Sequence, residues 1–212
     1  MGNLRRSYYN AFSHFYDRFV ALHSTDLQGA VRRYFSDLVP VKEGERILDI
    51  CTGTGALLPH LREKIGASGS VIGVDFSRGM LAANLQRTKG FGNIHLVEAD
   101  VSRLPFAGGS FDAVTCTHAF YELEGDAQER ALREIRRVLK PGKAFLMMEH
   151  DIPRSPLVRA LFYIRIASMG AKKALRILEH EKSTLESHFG SVEKISSPSG
   201  RSKIMICLKC LK

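Results

Sequence analysis

The stretch Ile47-Leu48-Asp49-Ile50-Cys51-Thr52-Gly53-Thr54-Gly55 constrains the fold more tightly than any other part of the chain. Ile47, Leu48 and Ile50 form the near-continuous apolar run of a strand buried on both faces, which occurs in parallel sheets covered by helices. Gly53 and Gly55 follow at once. Lacking a Cβ, they let the backbone turn sharply and approach a ligand closely. The spacing predicts a strand, a glycine turn and a helix starting near Ala56, with the ligand held at the turn.

Two ligand classes use such a turn, and the glycine register separates them. A dinucleotide fingerprint requires Gly-x-Gly-x-x-Gly or Ala, so that a pyrophosphate can rest on the helix N-terminus. Counting from Gly53 places Leu58 where the third small residue belongs. Counting from Cys51 fits Gly53 and Ala56 but loses the first glycine. Asp49 argues the same way: a carboxylate just ahead of the turn repels a pyrophosphate, yet it accepts hydrogen bonds from an amine. The plainer alternative is a turn that only joins strand to helix.

Two further apolar runs end in acids. Val71-Ile72-Gly73-Val74-Asp75 lies about one βαβ unit downstream, the interval at which a carboxylate meets both hydroxyls of a ribose. Asn93-Ile94-His95-Leu96-Val97-Glu98-Ala99-Asp100 is the third, and Asp100 with the backbone amide of Val101 suits an adenine edge. Any one of these acids would serve as a helix cap, since strand-to-helix loops favour Asp. Three in series point instead to a nucleoside.

With these residues in place the chain resembles a known superfamily. Leu48 to Gly55, Gly73-Val74-Asp75-Phe76-Ser77 with Met80, Asp100-Val101 with Leu104-Pro105-Phe106, Ser110 to Val114 and Arg136 to Gly142 are similar to the ordered motifs of class I S-adenosylmethionine-dependent methyltransferases. Within it, Tyr9-Asn10-Ala11-Phe12-Ser13-His14-Phe15-Tyr16-Asp17 resembles the opening of the ubiquinone/menaquinone biosynthesis C-methyltransferases. The likeness covers roughly residues 45–150, thins before them and is weak after them. It implies S-adenosylmethionine as cofactor, with Asp49 near the methionine amine, Asp75 at the ribose and Asp100 and Val101 at the adenine. Cys51, Thr52, Gly53, Gly55, Phe76, Met80 and Thr117 complete the expected cofactor wall, and Tyr16 resembles the family's lid tyrosine. Cys51 stands where Gly or Ala is usual.

The fold expected is α/β and Rossmann-like with an N-terminal helical lid and a helical cap insertion, and the resemblance implies a doubly wound sheet of seven strands with an antiparallel last strand. One domain accounts for all 212 residues: a lid over 1–44 with helices at 7–23 and 26–38, a cofactor-binding core over 45–150, a cap over 151–190 and a closing hairpin over 191–212. Helices are expected at 57–65, 80–88 and 126–139. No stretch reaches the roughly 18 consecutive apolar residues of a spanning helix, and no apolar leader opens the chain. The expectation is a cytoplasmic protein with its four cysteines reduced. Cys207 and Cys210, three apart on a strand, point to opposite faces, so no metal site is expected.

For chemistry, the donor's sulfonium passes a methyl group in line to a nucleophile, and alignment in a dry pocket supplies much of the acceleration. A hydroxyl or phenol-activated carbon acceptor also requires a proton to be removed. Ligands of doubly wound sheets bind beyond the carboxyl ends of the strands. That rule singles out His118 and Tyr121 after the fourth strand and His150 after the fifth. The quinone-ring enzymes carry an Arg-Asn pair where Tyr121-Glu122 stands, a departure that bears on the substrate.

The balance of 31 Lys and Arg against 22 Asp and Glu suits nucleic acid, an anionic membrane or a solvated face alike. No DNA-binding module is present, and the Asn-Pro-Pro-Tyr signature of amino-methylating nucleic-acid enzymes is missing. The preferred acceptor is a small molecule or lipid, lipophilic or aromatic. The alternatives are an RNA methyltransferase and a non-catalytic adenosylmethionine-binding protein; no oligomeric state is indicated. Residues 156–169, apolar nearly all round a helix, suggest a cap over a lipophilic acceptor, with peripheral membrane contact as an extension. Arg159 and Arg165 lie about 120° apart around that helix, which blurs an interfacial face.

Overall fold

The computed structural model describes residues 9–10, 29–123, 126–151, 156, 159–160, 181–198, 200 and 202–210. The elements are α1 (Ala30–Leu38), β1 (Arg46–Ile50), α2 (Leu58–Ile65), β2 (Ser70–Asp75), α3 (Arg78–Arg87), β3 (Ile94–Glu98), β4 (Phe111–Thr117), a 3-10 turn (Phe120–Glu122), α4 (Asp126–Val138), β5 (Leu139–His150), β6 (Ser191–Ser196) and β7 (Ser202–Leu208). The seven strands form one sheet in the order β3-β2-β1-β4-β5-β7-β6. Neighbours from β3 to β5 are parallel, and β7 runs antiparallel to both β5 and β6. The expected seven-stranded, doubly wound sheet with an antiparallel last strand is what the chain forms.

Alternation along each strand divides the core into two layers. Leu48, Ile50, Ile72, Val74 and Val114 pack with Leu132 and Ile135 of α4, while Ile47, Val71 and Ala113 pack with Phe35 of α1 and Leu58, Leu61 and Ile65 of α2. Helix α4 shows why: Ala131, Leu132, Ile135 and Val138 recur at helical spacing and are all buried, leaving its arginines outward.

Several boundaries differ from the sequence reading for local reasons. Helix α2 starts at Leu58 rather than Ala56 because the exit from the glycine turn is spent on a tight Leu58 N–H to Gly55 C=O bond of 3.2 Å, with Pro59 in the first turn. Helix α3 starts two residues early, at Arg78, since Ser77 caps it by accepting the Met80 N–H at 3.3 Å. Helix α1 starts at Ala30, after Gly29 in the left-handed conformation, and residues 26–28 of the stretch expected as helical lie outside the described residues. Lys140-Pro141-Gly142, whose Pro and Gly favour a turn, lies inside β5 as an irregularity: Phe111 pairs with Leu139, but Ala113 pairs with Ala144. The helix expected over 7–23 lies outside the described residues except at 9–10. So does the cap expected over 151–190, apart from residues 151, 156 and 159–160 and the helical stretch 181–186 with the turn after it.

Strands β1 and β4 are adjacent, and the chain order reverses between them. A crevice therefore opens at their carboxyl ends, flanked by β2 on one side and β5 on the other.

Candidate functional site

The backbone at the crevice is unusual on both sides. Cys51, just after β1, and His118, just after β4, both have φ of 52°, and they are the non-glycine residues with positive φ among the described residues. An L side chain there costs about 1–2 kcal/mol, so both turns are held by their surroundings. Cys51 is followed by Thr52, whose N–H donates to Val74 C=O at 2.9 Å, and His118 N–H donates to Met148 C=O at 2.8 Å.

The glycine turn is fastened from two elements. The Asp75 Oδ2 accepts the Gly53 N–H at 2.9 Å while its Oδ1 accepts the Ser77 N–H at 2.9 Å. From α3, Asn84 Nδ2 donates to Gly53 C=O at 3.3 Å, and Arg87 donates to the carbonyl and hydroxyl of Thr54 at 2.9 and 3.0 Å. A Cβ on Gly55 would fall 2.0 Å from Asn84 Oδ1, whereas one on Gly53 would meet nothing within 4 Å. The turn is thus closed beneath and open above. Sequence reasoning missed Asn84 and Arg87, because a polar residue on a helix carries no local sign that it reaches a neighbouring loop.

Asp49 lies below this turn, 1% exposed, accepting the Thr115 hydroxyl at 2.7 Å. Burial pushes its carboxyl up to about 6, which the Thr115 hydrogen bond only partly offsets. Burial also raises Asp75, against the pull of the Ser77 and Gly53 amides. At Asp100 burial again raises the carboxyl, but hydrogen bonds from Ser102, whose N–H reaches Oδ1 at 2.8 Å, win and hold it below the usual range. Val101 and Met80 are buried, Thr117 is half-buried at the end of β4, and Phe76 meets the Tyr9 ring edge-on at 5.7 Å.

On the far side of the crevice the three expected catalytic residues come together. The His118 and His150 rings lie 4.6 Å apart and Tyr121 is 6.1 Å from His150. His118 Nδ1 is buried with no hydrogen-bond partner among the described residues. Burial, then the neighbouring His150 and Arg32, hold this imidazole well below its ordinary range, so it is neutral at pH 7. Tyr9 ties the two sides together: its ring rests on Phe76 and its hydroxyl donates to Glu122. One tyrosine thus spans from the end of β2 to the turn after β4. Asn10 adds to it by accepting the Ser77 hydroxyl at 2.8 Å and the Gly79 N–H at 3.1 Å. Tyr16 lies outside the described residues.

Cys51, Cys116, Cys207 and Cys210 are all free thiols, Cys207 buried and Cys210 exposed. Among the described residues no helix is long and apolar enough to cross a membrane.

Residues 5–171 match the ubiE/COQ5 methyltransferase family. The chain belongs to that family. It is 35% identical over 147 residues to the demethylmenaquinone methyltransferase of Staphylococcus haemolyticus, an alignment covering 69% of this chain and 61% of that protein. The chain thus spans about three fifths of the length of the curated relatives it matches. Among solved structures it is similar to a SAM-dependent methyltransferase from Aquifex aeolicus, with a TM-score of 0.64 at 17% identity, covering 94% of this chain and 97% of that one. A SAM-dependent methyltransferase from Methanosarcina mazei gives 0.59 at 19% identity, covering 81% and 95%. These two likenesses speak for the fold, and the family for S-adenosylmethionine as the cofactor class. The RNA and non-catalytic alternatives are not favoured.

Proposed function

We propose that the protein transfers the methyl group of S-adenosylmethionine to a small, lipophilic or aromatic acceptor of the quinone type. The observation that carries this reading is the placement of His118, Tyr121 and His150 across one crevice from the fastened glycine turn, with Tyr9 spanning the gap.

The residues at the turn fit the cofactor. Space stands open over Gly53, while Asp75 carries two oxygens that each retain a lone pair for a hydroxyl after accepting one backbone N–H. Asp75 would hold the ribose, Asp100 and Val101 the adenine, and Cys51, Thr52 and Gly53 the methionine portion, with Phe76, Met80 and Thr117 as walls. Asp49 acts from beneath, held against β4 by the Thr115 hydroxyl and offering its remaining lone pairs to the amine. When bound, the sulfonium supplies an electrophilic methyl.

The protein's own part is alignment and proton removal. A neutral imidazole is ready to take a proton, and His118 is neutral because burial disfavours its cation. Tyr121 and His150 line the same side and orient an aromatic ring. The Tyr121-Glu122 pair, standing where quinone-ring enzymes have Arg-Asn, places an aromatic and an acid at the acceptor hydroxyl. The relatives named demethylmenaquinone methyltransferase support a prenylated quinol as acceptor. Residues 156–169 would then cover the tail and touch a membrane surface.

Incubation with methyl-labelled S-adenosylmethionine and reduced demethylmenaquinone, alongside a tail-less naphthohydroquinone, tests this reading. Label should enter the tailed quinol, and His118→Gln should lower turnover by roughly a hundredfold with little change in cofactor affinity. No label in either quinol would reject the acceptor class.

A further inference from the structure

We propose that Glu149 is a positioning residue: its buried carboxyl holds the turn after β4 in the shape that presents His118 and Tyr121 to the acceptor, a role that rests on the methyltransferase reading above. Glu149 sits near the end of β5 and is fully buried. Its Oε1 accepts the N–H of Phe120 at 2.8 Å and that of Ala119 at 3.2 Å. These two residues directly follow His118 and open the 3-10 turn that carries Tyr121. With the His118 N–H bound to Met148 C=O, three consecutive amides of the turn are anchored on two consecutive residues of β5. A left-handed φ at His118 persists only where neighbours over-determine it, and these bonds do so.

The surroundings define the chemical form of the anchor. Glu149 lies opposite Lys203 in the pairing of β5 with β7, and Lys203 binds Glu181 Oε2 at 2.6 Å, both side chains buried. Two carboxyls therefore face one ammonium out of water. Burial, then the charge of Glu181, outweigh the amides and Lys203 and hold Glu149 well above its ordinary range. Its Oε2 is buried without a hydrogen-bond partner among the described residues, so Oε1 alone does the anchoring. The side chain of Gln has the same shape and keeps a carbonyl oxygen that can accept both N–H groups. Glu149→Gln should preserve the anchor, while Glu149→Leu, of similar volume, should leave two buried donors unsatisfied and free the turn.

The experiment compares wild type, Glu149→Gln and Glu149→Leu in three readouts. With reduced demethylmenaquinone, kcat should fall roughly 10- to 100-fold in Glu149→Leu, the scale of a displaced catalytic group. It should stay within about threefold of wild type in Glu149→Gln, and S-adenosylhomocysteine should bind all three alike. By NMR, the His118 imidazole should titrate well below its ordinary range in wild type and Glu149→Gln and shift upward in Glu149→Leu, an effect that loss of stability alone does not produce. In wild type the Ala119 and Phe120 amides should exchange slowly despite lying outside regular strand. The last two readouts need no acceptor, so they stand if the quinol proves to be the wrong substrate. Unchanged kcat and His118 titration in Glu149→Leu would overturn the proposal. Exchange of the two wild-type amides at open-loop rates would overturn it as well, even if Glu149→Leu does not fold.

Discussion

At the amino ends of β4 and β5, Asp112 accepts two contacts of 2.8 Å from Lys140 and the Arg46 N–H at 3.1 Å, with Lys143 a further 3.3 Å away. At the carboxyl ends of the same strands, Glu149 is buried beside another carboxyl and His118 has a ring nitrogen without a partner among the described residues. Burial raises Asp112 too, but the Lys140 hydrogen bond and charge overcome it and hold the carboxyl low. Across the sheet at Asp49, Asp75 and Glu149, burial wins and the carboxyls rise. One rim pairs its charges; at the other, Asp100 and the Lys203–Glu181 pair apart, burial disfavours the charged forms of Asp49, Asp75, Glu149 and His118, the condition under which side chains bind and move protons near pH 7.

The contrast is broken most severely at the turn itself. Gly55→Ala puts a Cβ onto Asn84 at a φ of 76° and should cost about 2–4 kcal/mol of stability. Gly53→Ala, with open space around it, should cost only ~1 kcal/mol. Urea denaturation measures both, and equal costs would mean that Asn84 yields freely.

A smaller and more diagnostic effect comes from pH. The folded-state value of Asp49, about 6, lies above the ordinary 3.8. Between those values the folded chain binds more protons, so stability falls as pH rises through that window. Asp112 has the opposite slope: its contribution is present above the ordinary carboxylate value and is lost as pH falls through its lowered one. At pH 7 Asp49→Asn should therefore stabilise the ligand-free protein by about 1–3 kcal/mol. Asp112→Asn should destabilise it by less than ~1 kcal/mol, since Lys140 is partly exposed and its attraction is screened. Thermal melts between pH 4 and 8 read both signs, and parallel slopes in the two variants would erase the distinction between the rims.

Smallest of all, Cys51→Gly relieves a left-handed residue at the cost of chain entropy, for a net gain of about 0.5 kcal/mol. A loss in the denaturation midpoint would show that the Cys51 side chain contributes more by packing than its backbone costs.

How much of this was legible in the sequence differs along the same lines. The alternation of strands and helices follows from apolar runs ending in acids at βαβ intervals, because both the pattern and its cause are local, whereas the seven-stranded sheet was implied by the family resemblance. His118, Tyr121 and His150 were found by their place after strands, a rule of topology. Asp75 was read as a ligand for ribose; that its carboxylate clasps Gly53 could not be seen, since Gly53 lies in the turn after another strand. Asn84, Arg87 and Glu149 act wholly across elements and leave no period or motif. Pro141-Gly142 reads as a turn on local grounds, yet the pairing of Leu139 with Phe111 draws it into β5.

The fastening of the glycine turn has a thermodynamic corollary. Gly53 and Thr54 are held by Asp75, Asn84 and Arg87 within the protein itself, so a ligand arriving above them has little loop to order. Preorganisation of this kind removes an entropic penalty from association. The heat-capacity change on binding should then follow the apolar surface the ligand covers, without the excess that accompanies folding of a segment around it.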